Sequence, residues 1–577
     1  MGLRALLTFR PASTATLARQ LQRHAERQPE RVFLRYGDLR YTYAESNALI
    51  NRHAHAYQDM GVQRGDVVAL MLENRPEYLW HVYGLHKLGA VASLLNTQLT
   101  GDVLAHAIRV CEPKRVVIGS ELWSAFAEIR PALATLERDA VYVDDDPDNP
   151  CSAHAPSVSA LAARSPDTNP EIPEVPRLAD MAAYIYTSGT TGLPKAAFVK
   201  HERLYRAGAG WSSLALDFRP GDVMYNCLPL YHSNGLILAT GSVITAGVTM
   251  ALARKFSRRH FWNEIRRNDA TAFIYIGEIC RYLLNNEPTP RDREHRVRVI
   301  TGNGLRPTVW QEFQRRFGIP RIAEFYGATE GNVITVNFFN RVGSVGPKLP
   351  GMVLARWDDA RQELVRDERG LLVKAGPGEP GILLGGIARR RAFDGYRDQR
   401  ETERKIIRDA FEPGDAYFNT GDLLKLDSAR HLYFVDRIGD TFRWKGENVA
   451  TSEVEAQISS WPDAAEVNVY GVQVPNTEGR AGMVALVLRD GGVFDAAGFK
   501  QHVDAHLPAY ARPLFVRLKR SMATTGTFKM KKADLQREGF DPSATEDPIY
   551  VRHAEHDAYV RVDDALYRQL AGGELRL

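Results

Sequence analysis

The sequence predicts an α/β protein of at least two domains, and three observations carry that expectation. At 577 residues the chain exceeds what one hydrophobic core serves. Hydrophobic residues at 44% and charged ones at 25% are the proportions of an ordinary globular protein. From residue 67 to residue 118 short apolar runs alternate with amphipathic stretches, the pattern of parallel strands joined by crossover helices.

In chain order, residues 14–28 read as an amphipathic helix, and Val32–Tyr36 and Arg40–Tyr43 flank Gly37-Asp38 as hairpin-like strands. Thr42 and Glu45 have the spacing of a capping box, opening a helix that Gly61 ends. A strand at Val67–Leu72, a helix near 77–88, a strand at Ala90–Leu95, a helix from about 102 and a strand at Arg115–Ile118 follow. Residues 147–176 hold seven prolines and little apolar periodicity, which reads as a surface excursion and not a domain boundary. Gly235–Ala253 carries no charge and approaches the length of a membrane span. Its three glycines and four hydroxyl side chains favour a buried helix turning into a buried strand, so membrane contact is expected to be peripheral at most.

Composition excludes several classes. A net charge of +4 does not mark a nucleic-acid binder, and the basic runs Arg254–His260 and Arg389–Arg391 read as solvated faces. Cys111, Cys151, Cys227 and Cys280 lie far apart with no C-x-x-C, so the cysteines indicate neither a zinc site nor a disulfide framework, and a reducing cytoplasm fits. The first ten residues have too short an apolar run for a signal peptide.

The chemistry concentrates in five stretches. In Tyr184-Ile-Tyr-Thr-Ser-Gly-Thr-Thr-Gly-Leu-Pro-Lys195 a β-favouring run leads into Thr187, Ser188, Gly189, Thr190, Thr191 and Gly192, and Lys195 closes the loop. Hydroxyls and backbone amides donate to phosphate oxygens, glycines admit close approach, and the lysine adds a compact charge. Leu193 and Pro194 separate Gly192 from Lys195, so this is not a Walker A loop. Leu228-Pro-Leu-Tyr-His-Ser-Asn-Gly235 sets His232 at the head of the uncharged segment, a polar tip beside an apolar one. Thr301-Gly-Asn-Gly304 precedes Glu324-Phe-Tyr-Gly-Ala-Thr-Glu-Gly331. There Tyr326 offers a flat face for a purine, Gly327 close approach, Thr329 a donor to phosphate and Glu330 a hard oxygen ligand for Mg2+. Further on stand Asp422 in Tyr417-Phe-Asn-Thr-Gly-Asp422, then Arg437 and the turn Gly439-Asp440. Last come Thr441-Phe-Arg-Trp-Lys-Gly446 and Thr525-Gly-Thr-Phe-Lys529.

Together these stretches resemble the adenylate-forming superfamily of acyl-CoA synthetases, luciferases and peptide-synthetase adenylation domains. The Phe-Tyr-Gly-Ala-Thr-Glu-Gly-Asn, Thr-Phe-Arg-Trp-Lys-Gly-Glu-Asn-Val and Gly-Thr-Phe-Lys blocks look most like its fatty-acid transport protein and very-long-chain acyl-CoA synthetase branch. The resemblance runs from about residue 15 to about 545. It implies a large N-terminal domain of β-sheets layered with helices, residues 1–440, and a smaller mobile α+β domain, residues 441–577, hinged at Asp440. It implies ATP, Mg2+ and coenzyme A as cofactor and co-substrates, and a fatty acid as the acid. Gly302 belongs to the nucleotide site, Asp422 takes the ribose hydroxyls, Arg437 contacts ribose or phosphate, Gly446 lets the pantetheine arm pass, and Lys529 is the adenylation lysine. Thr527 and Phe528 stand where the commoner form has glycine before that lysine, in keeping with the branch. Amino-acid-activating members place an aspartate in the motif that holds His232; none is present, so the expected acid has no α-amine. Eukaryotic members begin with a membrane segment, which is not expected in this chain.

The resulting expectation is a long- or very-long-chain fatty acyl-CoA synthetase, cytoplasmic or peripheral at the inner membrane face. Two alternatives keep the same residues: an acyl-AMP ligase that passes the acyl group to a carrier protein, and a lipid-binding or uptake protein with vestigial motifs. Trp444 is open to two readings, an exposed functional ring or a member of a domain core.

Overall fold

The computed structural model describes residues 10–150, 155–188, 193–358, 361, 363–388, 392–438, 442–444, 447–475, 477, 479–489, 491–523, 532–553 and 556–572. The chain divides into two units, one of Met1–Leu305, Val309–Val342 and Arg389–Ile406, the other of Arg306–Thr308, Gly343–Ala388 and Ile407–Leu577.

In the first unit the alternation seen from residue 67 builds a sheet in the order Val141–Asp144, Arg115–Gly119, Val67–Met71, Val91–Leu94, Met181–Ser188 and Pro194–Lys200. Its neighbours run parallel except for the last pair, which is antiparallel. Every residue of Val67–Met71 and Val91–Leu94 is buried, as strands covered on both faces must be. A second sheet runs Ile334–Val336, Arg321–Gly327, Val299–Asn303, Ala272–Ile276, Val223–Asn226, Thr249–Leu252, Val32–Tyr36 and Leu39–Thr42.

Helices follow their sequence signals. Thr42 and Glu45 close a reciprocal capping box on Tyr43–Asp59, and Gly61 follows its end at φ +75°. Pro76–Leu88 begins on its proline and stops at Gly89, which is left-handed. The uncharged segment is a helical run, Asn234–Thr240 continuing into Gly241–Ala246, that leads to the fully buried strand Thr249–Leu252. Its neighbour His201–Gly210 comes so near that a Cβ on Gly208 would lie 2.5 Å from the Gly241 carbonyl oxygen. Among the described residues no helix is long and apolar enough to cross a membrane.

The proline-rich stretch differs from a plain excursion. It carries the helix Val158–Arg164, with Val158 and Ala162 buried, and then lies along Tyr43–Asp59. Asn51, Arg52, His55 and Gln58 donate to the carbonyls of Asp167, Ser165, Thr168 and Glu171, so the prolines' missing amides cost nothing there.

The second unit holds an antiparallel sheet in the order Gly346–Pro347, His431–Arg437, Ala416–Leu426, Gly381–Gly386, Met352–Asp358 and Glu363–Leu364. It also holds a mixed sheet of Ala464–Gln473, Arg480–Leu488, Phe515–Leu518, Ile549–Arg552 and Tyr559–Arg561, with helices Thr451–Ile458 and Ala496–His506. Trp444 is 6% exposed and belongs to the core of that mixed sheet, which decides between its two readings.

Candidate active site

The phosphate-loop stretch is described at its two flanks. Tyr184, Ile185 and Tyr186 are buried in the strand Met181–Ser188, which delivers Thr187 to the sheet edge. Gly189, Thr190, Thr191 and Gly192 lie outside the described residues, as does the side chain of Ser188. On the return strand Lys195 makes an ion pair with Glu401 of the short helix Gln399–Glu403. That helix belongs to a segment that lines the strand as an extra edge. The Phe198 N–H donates to the Gly395 carbonyl at 3.0 Å and the Arg397 N–H to the Ala196 carbonyl at 2.9 Å, and Lys200 pairs with Asp394 at 2.5 Å.

The strand Arg321–Gly327 brings up the second set. Tyr326 is buried, Gly327 is exposed at the strand's end, and Thr329 and Glu330 follow, half-buried. The Tyr396 hydroxyl donates to Glu330 Oε1 at 2.8 Å and lies beside the Thr187 side chain. Burial, and then the Glu330 carboxylate, push the Tyr396 phenol up, so it stays a donor. Arg203 holds the loop from below, donating to the carbonyls of Ala328, at 3.0 Å, and Gly331.

The histidine motif joins the same cluster through its neighbours. Ser233 Oγ lies 2.9 Å from Thr329 Oγ1, and Asn234 Nδ2 donates to Asn303 Oδ1 at 2.9 Å. His232 is half-buried at the head of the helical run, its ring 4.5 Å from that of Tyr231. Gly302 is pressed on its strand neighbour: a Cβ there would lie 2.3 Å from the Tyr275 carbonyl oxygen, so packing alone demands glycine. Behind the loop, buried Glu324 accepts from the Tyr275 hydroxyl and, at 2.9 Å, from the Leu305 N–H.

In the second unit Asp422 and Arg437 are register partners on adjacent strands, Arg437 Nε 3.0 Å from Asp422 Oδ1. Asp422 is 6% exposed. Asp440, Gly446 and Lys529 lie outside the described residues.

With this geometry in hand, the chain matches the model of the AMP-binding enzyme over residues 21–384 and that of the AMP-binding enzyme C-terminal domain over residues 453–529. The chain belongs to the AMP-binding enzyme family. Within that family it is 44% identical over 554 residues to the medium/long-chain-fatty-acid–CoA ligase FadD6 of Mycobacterium tuberculosis, covering 96% of this chain and 91% of the relative. It is 40% identical over 564 residues to long-chain fatty acid transport protein 6 of Mus musculus, covering 96% and 90%. Among solved structures, ATP-bound MatB from Rhodopseudomonas palustris superposes with a TM-score of 0.75 at 26% identity, over 90% of this chain and 98% of that one. The anthranilate CoA ligase AuaEII in complex with anthranoyl-AMP shares the fold, with a TM-score of 0.77 at 21% identity over 92% and 98%.

Sequence reasoning did not single out Tyr396, Glu401 and Arg203, which contact Glu330, Lys195 and the carbonyls of Ala328 and Gly331. Tyr396 and Glu401 stand in Asp394-Gly-Tyr-Arg-Asp-Gln-Arg-Glu401, an ordinary polar run whose one signal is a turn glycine beside a tyrosine.

Proposed function

We propose that the chain is an ATP-dependent fatty acyl-CoA synthetase that forms an acyl-adenylate and then the thioester, acting on long- or very-long-chain acids. The observation that carries this reading is the convergence of Thr187, Thr329 and Glu330 through Tyr396 and Ser233 in one polar cluster. The full-length likeness to a fatty-acid–CoA ligase supports the choice of acid.

The residues suit magnesium. Glu330 is a half-buried carboxylate whose Oε1 takes the Tyr396 hydrogen bond, which leaves its second oxygen for a hard cation that needs one or two carboxylates beside substrate phosphates. Mg2+ on Glu330 would supply Lewis-acid neutralisation of phosphate charge. In the first half-reaction the fatty carboxylate oxygen bonds to the α-phosphorus of ATP and the bond to pyrophosphate breaks. Thr187, Lys195 and the loop between them are proposed to bind the phosphates, Thr329 and Lys529 to stabilise charge on the α-phosphoryl group, and Tyr326, Gly327 and Gly302 to border the purine. Asp422 and Arg437 are proposed for the ribose, and His232 for the acid's carboxylate. In the second half-reaction the CoA sulfur bonds to the acyl carbon, the bond to AMP breaks, and the thiol proton passes to solvent. Residues 441–577 are proposed to turn about Asp440 between the two, exchanging Lys529 for the Gly446 region. Contact with membrane is proposed as peripheral, through the fatty acid's source.

Purified protein with MgATP, palmitate or a very-long-chain acid, each with and without CoA, tests the reading. Acid-dependent pyrophosphate release, with acyl-CoA formed only when CoA is present, is expected. Pyrophosphate without thioester would make it an acyl-AMP ligase, and silence with every acid would leave a binding protein.

A further inference from the structure

Far along the sheet from the phosphate loop, three side chains from three elements meet in the interior: His53 of Tyr43–Asp59, His81 of Pro76–Leu88 and Asp144 at the end of Val141–Asp144. They are 5%, 0% and 0% exposed. One ligand atom from each lies within 4.8 Å of the others, and His81 Nε2 is 3.2 Å from Asp144 Oδ1. That separation is close to the edge of a tetrahedron built from zinc bonds of about 2.0–2.1 Å.

The outward nitrogens are engaged and the inward ones are not. His53 Nδ1 is 2.9 Å from the Leu49 carbonyl and His81 Nδ1 is 2.7 Å from the Tyr57 hydroxyl. The Leu49 carbonyl can only accept, so His53 carries its proton on Nδ1 and leaves Nε2 bare, the arrangement that orients metal-bound histidine; the Tyr57 hydroxyl supports the same tautomer of His81 when it accepts. His53 Nε2 and His81 Nε2 are buried and make no hydrogen bond among the described residues, while Asp144 Oδ2 is taken by its ion pair with Arg75 and Oδ1 faces His81. Asp144 is steadied from outside by Ser159 Oγ at 2.7 Å and by Arg75 at 2.6 Å. Arg75 also faces Glu77 at 3.5 Å and Glu121 at 3.7 Å, so one guanidinium stands among three carboxylates. A divalent cation would bring that group to neutrality.

We propose that His53, His81 and Asp144 hold a structural zinc ion, with water in the fourth position. Two imidazoles and a carboxylate at this spacing suit zinc better than magnesium or calcium, which prefer all-oxygen cages. Bound there, it ties two helices to the edge strand of the sheet that carries the phosphate loop. It is separate from the magnesium proposed at Glu330 and has no part in the reaction.

Elemental analysis of the full chain, purified without a metal-affinity step, should find about one zinc per molecule. After dialysis against a chelator, His53→Gln and His81→Gln should hold at least about tenfold less zinc than the wild type, while Glu330→Gln keeps it. Zinc well below stoichiometric in the wild type, with no rise in Tm when zinc is added, would overturn the proposal, as would full zinc in both histidine variants. If those variants do not fold, cobalt decides on the wild-type protein. Intense visible bands of tetrahedral cobalt support the site, and a pale octahedral spectrum or no bound cobalt sinks it.

Discussion

Two tyrosine–glutamate hydrogen bonds bracket the stretch from Glu324 to Glu330, one in the core and one at its surface. Tyr275 and Glu324 are 0% and 2% exposed. Burial pushes the Glu324 carboxyl up to about 8, against hydrogen bonds from Tyr275 and the backbone of Leu305 and Gly304 that favour the charged form. At neutral pH it therefore carries a proton and serves as an uncharged post under the Thr301-Gly-Asn-Gly304 loop. Tyr396 and Glu330 make the same kind of bond, but Glu330 is half-buried and Tyr396 reaches on to Thr187. The chemistry of the pair is shared; solvent access separates them, Glu324 being enclosed against the backbone and Glu330 open to a ligand of the kind proposed for it.

If that contrast is right, substitution at the two pairs should separate function from stability. The largest effect is expected from Glu330→Gln, which keeps an acceptor for Tyr396 but removes the charge. Acid-dependent pyrophosphate release should fall by about 100- to 1,000-fold with Tm unchanged. A loss of Tm instead of rate would make Glu330 structural, like Glu324. Tyr396→Phe comes next, with a fall of about 10- to 100-fold and a higher Mg2+ concentration needed for half-maximal rate. A purely structural Tyr396 would leave the Mg2+ dependence where it was. Lys195→Ala should raise the KM for ATP by about tenfold, since one charge-assisted contact to phosphate is lost while Glu401 stays near the surface.

Why Glu330 was legible in the sequence and Tyr396 was not follows from the same contrast. Residues that touch a ligand are constrained in type and spacing, and Thr187, Lys195, Thr329 and Glu330, the residues proposed for that role, stand out by pattern. Tyr396, Glu401 and Arg203 only hold those residues, and many side chains elsewhere in a chain could look as they do. The fold divides similarly. Local signals placed the Thr42/Glu45 capping box and the buried helix-to-strand run at Gly235–Ala253, because period, cap and charge are written within a few residues. The helix Val158–Arg164 was hidden by the prolines around it, and its docking depends on acceptors about a hundred residues from their donors. His53, His81 and Asp144 have no motif spacing at all; only the packing of helices on the sheet edge brings them together.

The smallest effect is the most specific to the buried pair. Glu324→Gln keeps the acceptor for the Leu305 N–H and places a donor toward Tyr275, so at low pH it should cost less than about 1 kcal/mol, whereas Glu324→Ala should cost about 2–4 kcal/mol through two orphaned donors and a cavity. The pH dependence separates this from simple loss of packing. The folded carboxyl titrates near 8 and the unfolded one near 4.5, so between those values the unfolded chain has shed a proton that the folded one retains. Glu324 therefore contributes its full stability below about pH 4.5 and loses it as pH rises toward 8, with an upper bound of about 5 kcal/mol over the interval. Glutamine does not titrate. The Tm of Glu324→Gln should thus gain on the wild type steadily from pH 5 to pH 8, and parallel Tm curves across that range would mean that Glu324 is ionised in the fold and that burial does not distinguish the two pairs.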